Sequence, residues 1–190
     1  MKIQLKSKDI LFPVPAALVV TGVADNSNII TVAWIGIVGS NPPALGISLH
    51  KSRYSLSLIN KFREFTANIP RQCDFKKVDY CGMVSGKTVK KFEATGYTPM
   101  DGCKVKTPII KECPVNIECR VLHEVDLSDW MLIIGEILEV NIDADCLGEN
   151  DKVSVSKVDP LVYIPTIREY WNIGQKLADS FRVGKYYMTD

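Results

Sequence analysis

At 190 residues, with 46% hydrophobic and 24% charged side chains, the chain has the make-up of one globular domain with a substantial core. Twenty-three basic residues against twenty-two acidic ones leave a net charge of +1, which offers no electrostatic footprint for nucleic acid or an anionic membrane. No apolar run approaches the ~20 residues that span a bilayer, and the opening MKIQLKSK puts charges where a signal peptide needs an apolar centre, so a cytoplasmic protein with no membrane partner is expected.

Residues 17–23 (ALVVTGV) form a β-branched run, and Asp25, Asn26, Ser27 and Asn28 after it are turn formers, which predicts a hairpin into the apolar run 29–38. That run does not alternate, so it reads as a strand buried on both faces at the centre of a sheet. It stops at Gly39-Ser40-Asn41-Pro42-Pro43, because prolines bring no N–H to a ladder. Residues 45–49 alternate with a period of two and give the next strand. Ser52 then opens a helix with Leu56, Ile59 and Phe62 on one face and Ser52 or Ser55 as N-cap.

Residues 64–69 alternate again, with Phe65, Ala67 and Ile69 on one side, until Pro70. Nothing is periodic over 71–86, which reads as a surface loop or short turns. Residues 87–95 read as a helix with Val89 and Phe92 inward, Lys87, Lys90 and Lys91 outward, and Gly96 as the stop. Residues 115–122 are the clearest strand: Val115, Ile117, Cys119 and Val121 alternate with Asn116, Glu118, Arg120 and Leu122. A turn at 126–129 leads into a long return strand, 131–142, in which Gly135 marks a bulge or a close approach. The fold class is therefore mainly β: an antiparallel barrel of six or seven strands with a few short helices, one domain over 1–190. The tail, from about residue 166 to 190, carries Tyr170, Trp171, Ile173, Leu177 and Phe181 at roughly helical spacing. It must pack on this barrel or on a second subunit.

Chemistry-bearing residues are few. His50-Lys51-Ser52-Arg53-Tyr54-Ser55 puts two cations and several hydroxyls at a strand-to-helix junction, the donor set an organic phosphate needs. The same residues also read as a solvated turn with a serine cap. Six cysteines, at 73, 81, 103, 113, 119 and 146, form no Cys-x-x-Cys pair, and neither His50 nor His123 lies at finger spacing, so no disulfide framework or metal centre is expected. Cys119 reads as a small core residue, and Cys81 is the cysteine nearest a candidate site. There is no Gly-x-Gly-x-x-Gly, no Gly-x-Ser-x-Gly and no His-Glu-x-x-His.

One family gathers these fragments in order. Asn28, Thr31, Ala33 and Trp34, then Ser40-x-Pro42-Pro43, then Lys51-x-Arg53-Tyr54-Ser55, followed by Asn68-Ile69-Pro70, the stretch DYCGMVSGK from Asp79 to Lys87, and Lys91-Phe92, resemble the flavin reductase-like FMN-binding split barrels, which include the flavoredoxins. The resemblance covers roughly residues 13–170. It implies FMN as cofactor, with the ring against 28–34 (Asn28, Thr31, Val32, Ala33, Trp34) and the phosphate on Lys51, Arg53, Ser55 and Lys91. Ser48, His50, Ser85 and Phe92 complete the implied cofactor-binding set. No catalytic side chain is implied, because a flavin carries its own redox chemistry. The family precedent gives an NAD(P)H:flavin oxidoreductase that transfers a hydride from NAD(P)H, acting as a homodimer. The alternatives are a flavoredoxin-type electron carrier serving a partner protein, without its own nicotinamide site, and a split barrel turned to another ligand such as haem.

Overall fold

The computed structural model describes residues 1–188, so Thr189 and Asp190 of the predicted tail lie outside the described residues. The chain runs β1 (Val14–Pro15), β2 (Ala17–Thr21), β3 (Asn28–Val32), β4 (Ile35–Ser40), β5 (Pro43–His50), α1 (Tyr54–Phe62) and β6 (Glu64–Ile69). It continues with α2 (Phe75–Met83), α3 (Lys91–Thr95), β7 (Pro99–Met100), β8 (Ile109–Ile110), β9 (Val115–Leu127) and β10 (Trp130–Ile142). The last elements are α4 (Val155–Val158), β11 (Val162–Ile164) and β12 (Glu169–Trp171), and short 3₁₀ turns lie at Ala24–Asn26, Gln72–Asp74, Ala144–Cys146, Glu149–Asp151 and Val183–Tyr187. Among the described residues no helix is long and apolar enough to cross a membrane.

Seven strands form one antiparallel sheet in the order β3-β2-β6-β9-β10-β5-β4. The first and last of these are consecutive in the chain. The apolar run 29–38 is thus two strands rather than one, and it lies at the two ends of the sheet rather than at its centre. The chain leaves β3 at Val32, turns through Ala33 and Trp34, and enters β4 on the far side, while the Ser48 amide donates to the Trp34 carbonyl at 2.9 Å. That crossing is the seam that closes the barrel. Alternation is missing from the run because its two halves face different surroundings: β3 is almost wholly buried, whereas Ile37 and Val38 of β4 are exposed. The Pro-Pro break is the tight hairpin between β4 and β5, with Pro43 at the head of β5 opposite Ser40, where no ladder donor is required.

The strand buried on both faces is β2, every residue of which is buried. One face points into the barrel, where Val19 joins Ile47, Ile59, Phe65 and Ile133. Its other face, with Leu18 and Val20, packs on a second cluster built from Ile29, Val78, Cys81, Tyr97 and Leu161. That outer cluster exists because residues 75–83 form α2, where the sequence suggests a loop; Val78 and Cys81 are its buried face. Its other apolar residues, Phe75, Tyr80 and Met83, are exposed and blur the helical pattern, and packing supplies what propensity does not.

The predicted bulge at Gly135 is present: the β9–β10 register shifts between Ile134 and Gly135. A Cβ there would lie 2.7 Å from Phe65 Cε1, inside the fully buried core, so only glycine allows this approach. Helix α1 buries Leu56 and Ile59 as expected, but neither serine caps it; Arg53 holds the cap position without a side-chain bond, and Ser55 is turned inward. The helix predicted over 87–95 is confined to Lys91–Thr95, with Gly96 in the left-handed region after it as expected.

A segment over residues 97–114 covers the outer face of β6 and β9. It is held by polar side chains that alternation assigns to solvent. Asn68 Oδ1 accepts from Ile110 N at 2.9 Å and from Asn116 Nδ2 at 2.8 Å, and Glu64 Oε1 accepts from Thr107 N at 2.8 Å. Glu118, fully buried, accepts from the amides of Cys103, Lys104 and Val105 and from Asn141 Nδ2. Beyond Trp171 the expected helical tail is absent: β12 takes Tyr170 and Trp171 into a small sheet with β1 and β11, and residues 172–188 continue as an extended arm.

Candidate functional site

Two neighbouring cavities open along the barrel seam. The larger, about 490 Å³, is lined by the β3 end and the crossing (Thr31, Val32, Ala33, Trp34), by the end of β5 (Ser48, Leu49, His50), and by Trp130. Lys8, Asp9, Ile10, Tyr163 and Arg168 complete its mouth. The smaller, about 180 Å³, is lined by Asn28, Ser52, Ser55, Cys81, Ser85, Gly86 and Lys91. Ile30 and Arg53 line both, so Arg53 stands at the junction.

The aromatic wall of the larger cavity follows from strand register. His50 and Trp130 are paired residues of β5 and β10. The Trp130 ring therefore meets His50 edge-on at 5.4 Å and packs on Trp34 with ring centroids 4.1 Å apart. Such a slot, with aromatic walls and polar side chains among its lining, accepts a flat ring system. The Thr31 hydroxyl is already committed to the Val78 carbonyl and ties β3 to α2.

The smaller cavity carries the charge. Lys91 is 4% exposed, and its ammonium donates to the Cys81 carbonyl at 2.7 Å with no carboxylate partner among the described residues. Burial lowers its pKa to about 8, the Cys81 thiol opposes that, and the Arg53 guanidinium adds to it. Burial likewise pushes the Cys81 thiol up to about 11, so that it stays a neutral wall group near pH 7. A buried ammonium beside a second cation, with no counter-charge, is a site that lacks an anion. Asn28 adds a second unmet requirement. Its amide donates to Ser55 Oγ at 2.8 Å, while its side-chain carbonyl is buried with no partner.

The geometry separates the residues singled out from sequence. It brings Asn28, Arg53, Ser55, Ser85 and Lys91 to the smaller cavity, and Thr31, Val32, Ala33, Trp34, Ser48 and His50 to the larger. Lys51 lines neither; its ammonium is held by both oxygens of Asp126 at 2.7 and 2.8 Å. Phe92 also lies outside both: it packs against the outer core cluster and faces a separate hollow beyond Lys91. Lys91 points inward where the helical pattern suggests a solvated face. Trp130 has no sequence signal except its place opposite His50 after the turn. Gly86 was not singled out either. A Cβ at that position would collide with the Asn28 side-chain amide. Gly86→Ala is expected to push Asn28 off Ser55, leave the fold intact, and weaken ligand binding at this cavity about 10-fold. In an Asn28→Ala background the same change should cost little, and equal losses in both backgrounds would refute the coupling.

Comparison with known proteins supplies the family. The model of the "Flavin reductase like domain" family matches residues 10–171. The flavoredoxin of Desulfovibrio vulgaris (Miyazaki F) is 36% identical, with a TM-score of 0.92, covering 97% of this chain and 100% of that one. The flavoredoxin from Methanosarcina acetivorans is 32% identical, with a TM-score of 0.92 and coverages of 99% and 100%, so that alignment runs through the C-terminal arm. An uncharacterized protein of Archaeoglobus fulgidus is 39% identical over 130 residues, 68% of this chain and 73% of its own. The seam cavities, the split barrel and these matches agree: the chain belongs to the flavin reductase-like family.

Proposed function

We propose that the chain binds FMN along the seam and acts as an oxidoreductase of the flavin reductase type, taking a hydride from NAD(P)H. The observation that carries this is the pair of communicating cavities: an aromatic slot beside a small chamber that holds the buried, unpaired Lys91 next to Arg53. The residues present fit that group. Lys91, Arg53 and Ser55 would hold its phosphate, the orphaned Asn28 carbonyl would have a hydroxyl of the ribityl chain to accept from, and Trp34 and Trp130 would wall the ring. Bound there, FMN supplies the hydride-accepting chemistry, and the protein contributes orientation and electrostatics. No acid–base pair is needed for the transfer, so the Lys8, Asp9, His50 and Arg168 side chains around the slot are assigned no catalytic role. A nicotinamide nucleotide as donor places the activity in the cytoplasm.

The second reading, an FMN electron carrier serving another protein, is favoured by the full-length likeness to two flavoredoxins. Anaerobic addition of NADH and of NADPH to the FMN-loaded protein separates the two. Bleaching of the flavin absorbance within seconds is expected from a reductase. A flavin that stays oxidised with both nucleotides, yet bleaches with dithionite, overturns the nicotinamide activity and leaves the carrier. A protein that does not quench FMN fluorescence at all overturns both.

We also propose a homodimer with C₂ symmetry. Its support is the uncovered apolar surface of the subunit, both on β4 (Ile37, Val38) and along the arm (Leu177, Phe181).

A further inference from the structure

The arm over residues 172–188 contradicts the usual economy of a folded chain. Among the described residues no hydrogen bond and no ion pair joins it to the rest of the subunit. Lys176 and Arg182 both go to Asp179 within the arm, and its backbone bonds are Lys185 N to Arg182 O and Met188 N to Lys185 O. Yet it is rich in large apolar side chains. Leu177 is 98% exposed and Phe181 94%, with Tyr186 and Tyr187 close behind. Such a segment neither offsets the entropy of being ordered nor removes its own surface from water.

The same subunit carries a matching deficit. On the outward face of the sheet, Val125 of β9 is paired with Leu132 of β10, and Leu132 with Ser48 of β5. Val38 of β4 lies against Gly46 of β5, near the Leu132 methyl. Val38, Gly46, Leu132 and Val125 therefore make an apolar strip across four strands. Val38 and Val125 are 54% and 42% exposed, so no element of their own chain covers it. Arm and strip are both open within one subunit, which excludes the arm lying on its own strip. The eleven residues of the arm before its 3₁₀ turn and the turn itself reach up to about 50 Å, more than the diameter of a domain this size. The likeness to one flavoredoxin, which covers 99% of this chain, takes in the arm as well.

We propose that residues 172–188 are exchanged between subunits: in the homodimer each arm lies on the β4–β5–β10–β9 outer face of the other copy, with Leu177 and Phe181 on the strip of Val38, Leu132 and Val125. A two-fold axis makes the two contacts equivalent and covers both arms and both strips at once. This rests on the homodimer reading above.

The test uses full-length protein carrying a photoreactive benzoylphenylalanine in place of Phe181, with ¹⁵N-labelled and unlabelled chains mixed and allowed to exchange. Irradiation followed by mass spectrometry should give cross-links between labelled and unlabelled chains, from the arm to peptides around Val38 or Val125–Leu132. Cross-links only within one chain, or only to other surfaces, overturn the proposal. Independently, Leu177→Ser/Phe181→Ser and a chain ending at Asn172 should each raise the dimer dissociation constant at least 10-fold by sedimentation. The double variant serves the purpose if the shortened chain fails to fold. A full-length chain that sediments as a monomer defeats the homodimer and this proposal together. A dimer whose affinity is unchanged in both variants defeats the exchanged arm alone.

Discussion

Replacing Arg53 by alanine is expected to weaken FMN binding by about 10- to 100-fold while leaving reduction of the saturated protein close to wild type. Arg53 lines both cavities, holds the cap position of α1 without a side-chain bond, and has no acidic partner among the described residues. Its guanidinium is thus free to fork onto a phosphate, and each charge-assisted bond is worth about 1.5–3 kcal/mol. Arg53→Lys keeps the charge and loses the fork, so it should fall between the two. Lys91 adds a pH dependence. Its folded pKa is lowered from 10.5 to about 8, first by burial and then by Arg53. FMN affinity should therefore fall as pH rises through about 8, with uptake of one proton on binding, because the phosphate favours the ammonium that burial disfavours. In the FMN-free protein the linkage has the opposite consequence. Between pH 8 and 10.5 the unfolded chain holds a proton that the folded chain has lost, so stability rises with pH across that window. Lys91→Met should abolish the pH dependence of binding and weaken binding at pH 7. Fluorescence titration of FMN from pH 6 to 9.5 and anaerobic single-turnover reduction at saturation read both effects. Unchanged affinity in Arg53→Ala sinks the phosphate anchor, and a saturated variant that cannot be reduced sinks its purely binding role.

What could be read from sequence follows from where each signal is stored. β6 alternates polar and apolar residues in sequence between two clear stops, and β10 is a long apolar run that follows a turn, so their bounds and the Gly135 bulge were legible. The seam was not, because the turn at Ala33 and Trp34 is set by closure between β3 and β4, a contact that leaves no periodic trace. Motif order names residues that line one cavity because they come from two neighbouring stretches, 31–34 and 48–53. Lys51 looked as fit for a phosphate as Arg53. Only the pairing of β9 with β10, which brings Asp126 to Lys51, separates them. Lys91 was legible only through family likeness. By helical pattern it belongs to solvent, and its burial depends on α2, whose own signal is weak. The same blindness reversed the outer face of β9. Asn116 and Glu118 look like its wet side, yet they are more buried than Val115 and Ile117, because the covering segment comes from a different part of the chain.

That reversal gives the largest expected stability effect. Burial alone would push the Glu118 carboxyl upward, but the amide donors of Cys103, Lys104 and Val105 and the Asn141 side chain outweigh it and hold the group below the usual carboxylate range. Glu118→Ala removes an acceptor that four donors share. Unpaired buried N–H groups cost about 1–3 kcal/mol each, and some will find water when the covering segment loosens, so a loss of about 3–5 kcal/mol is expected. Glu118→Gln keeps one acceptor oxygen but turns an NH₂ toward amide donors, so an intermediate loss is expected. The pH dependence has a definite sign. A carboxylate whose folded pKa is depressed stabilises above its unfolded value, about 4.3, and that contribution is lost as pH falls through the folded value. Urea unfolding at pH 7 should show a lower midpoint for both variants. The gap between wild type and Glu118→Gln should narrow as the pH is lowered, once wild-type Glu118 takes up its proton. A gap that stays constant down to acid unfolding would show that the carboxylate charge contributes nothing, and a Glu118→Ala midpoint equal to wild type would show that the covering segment is held by Asn68 and Glu64 alone.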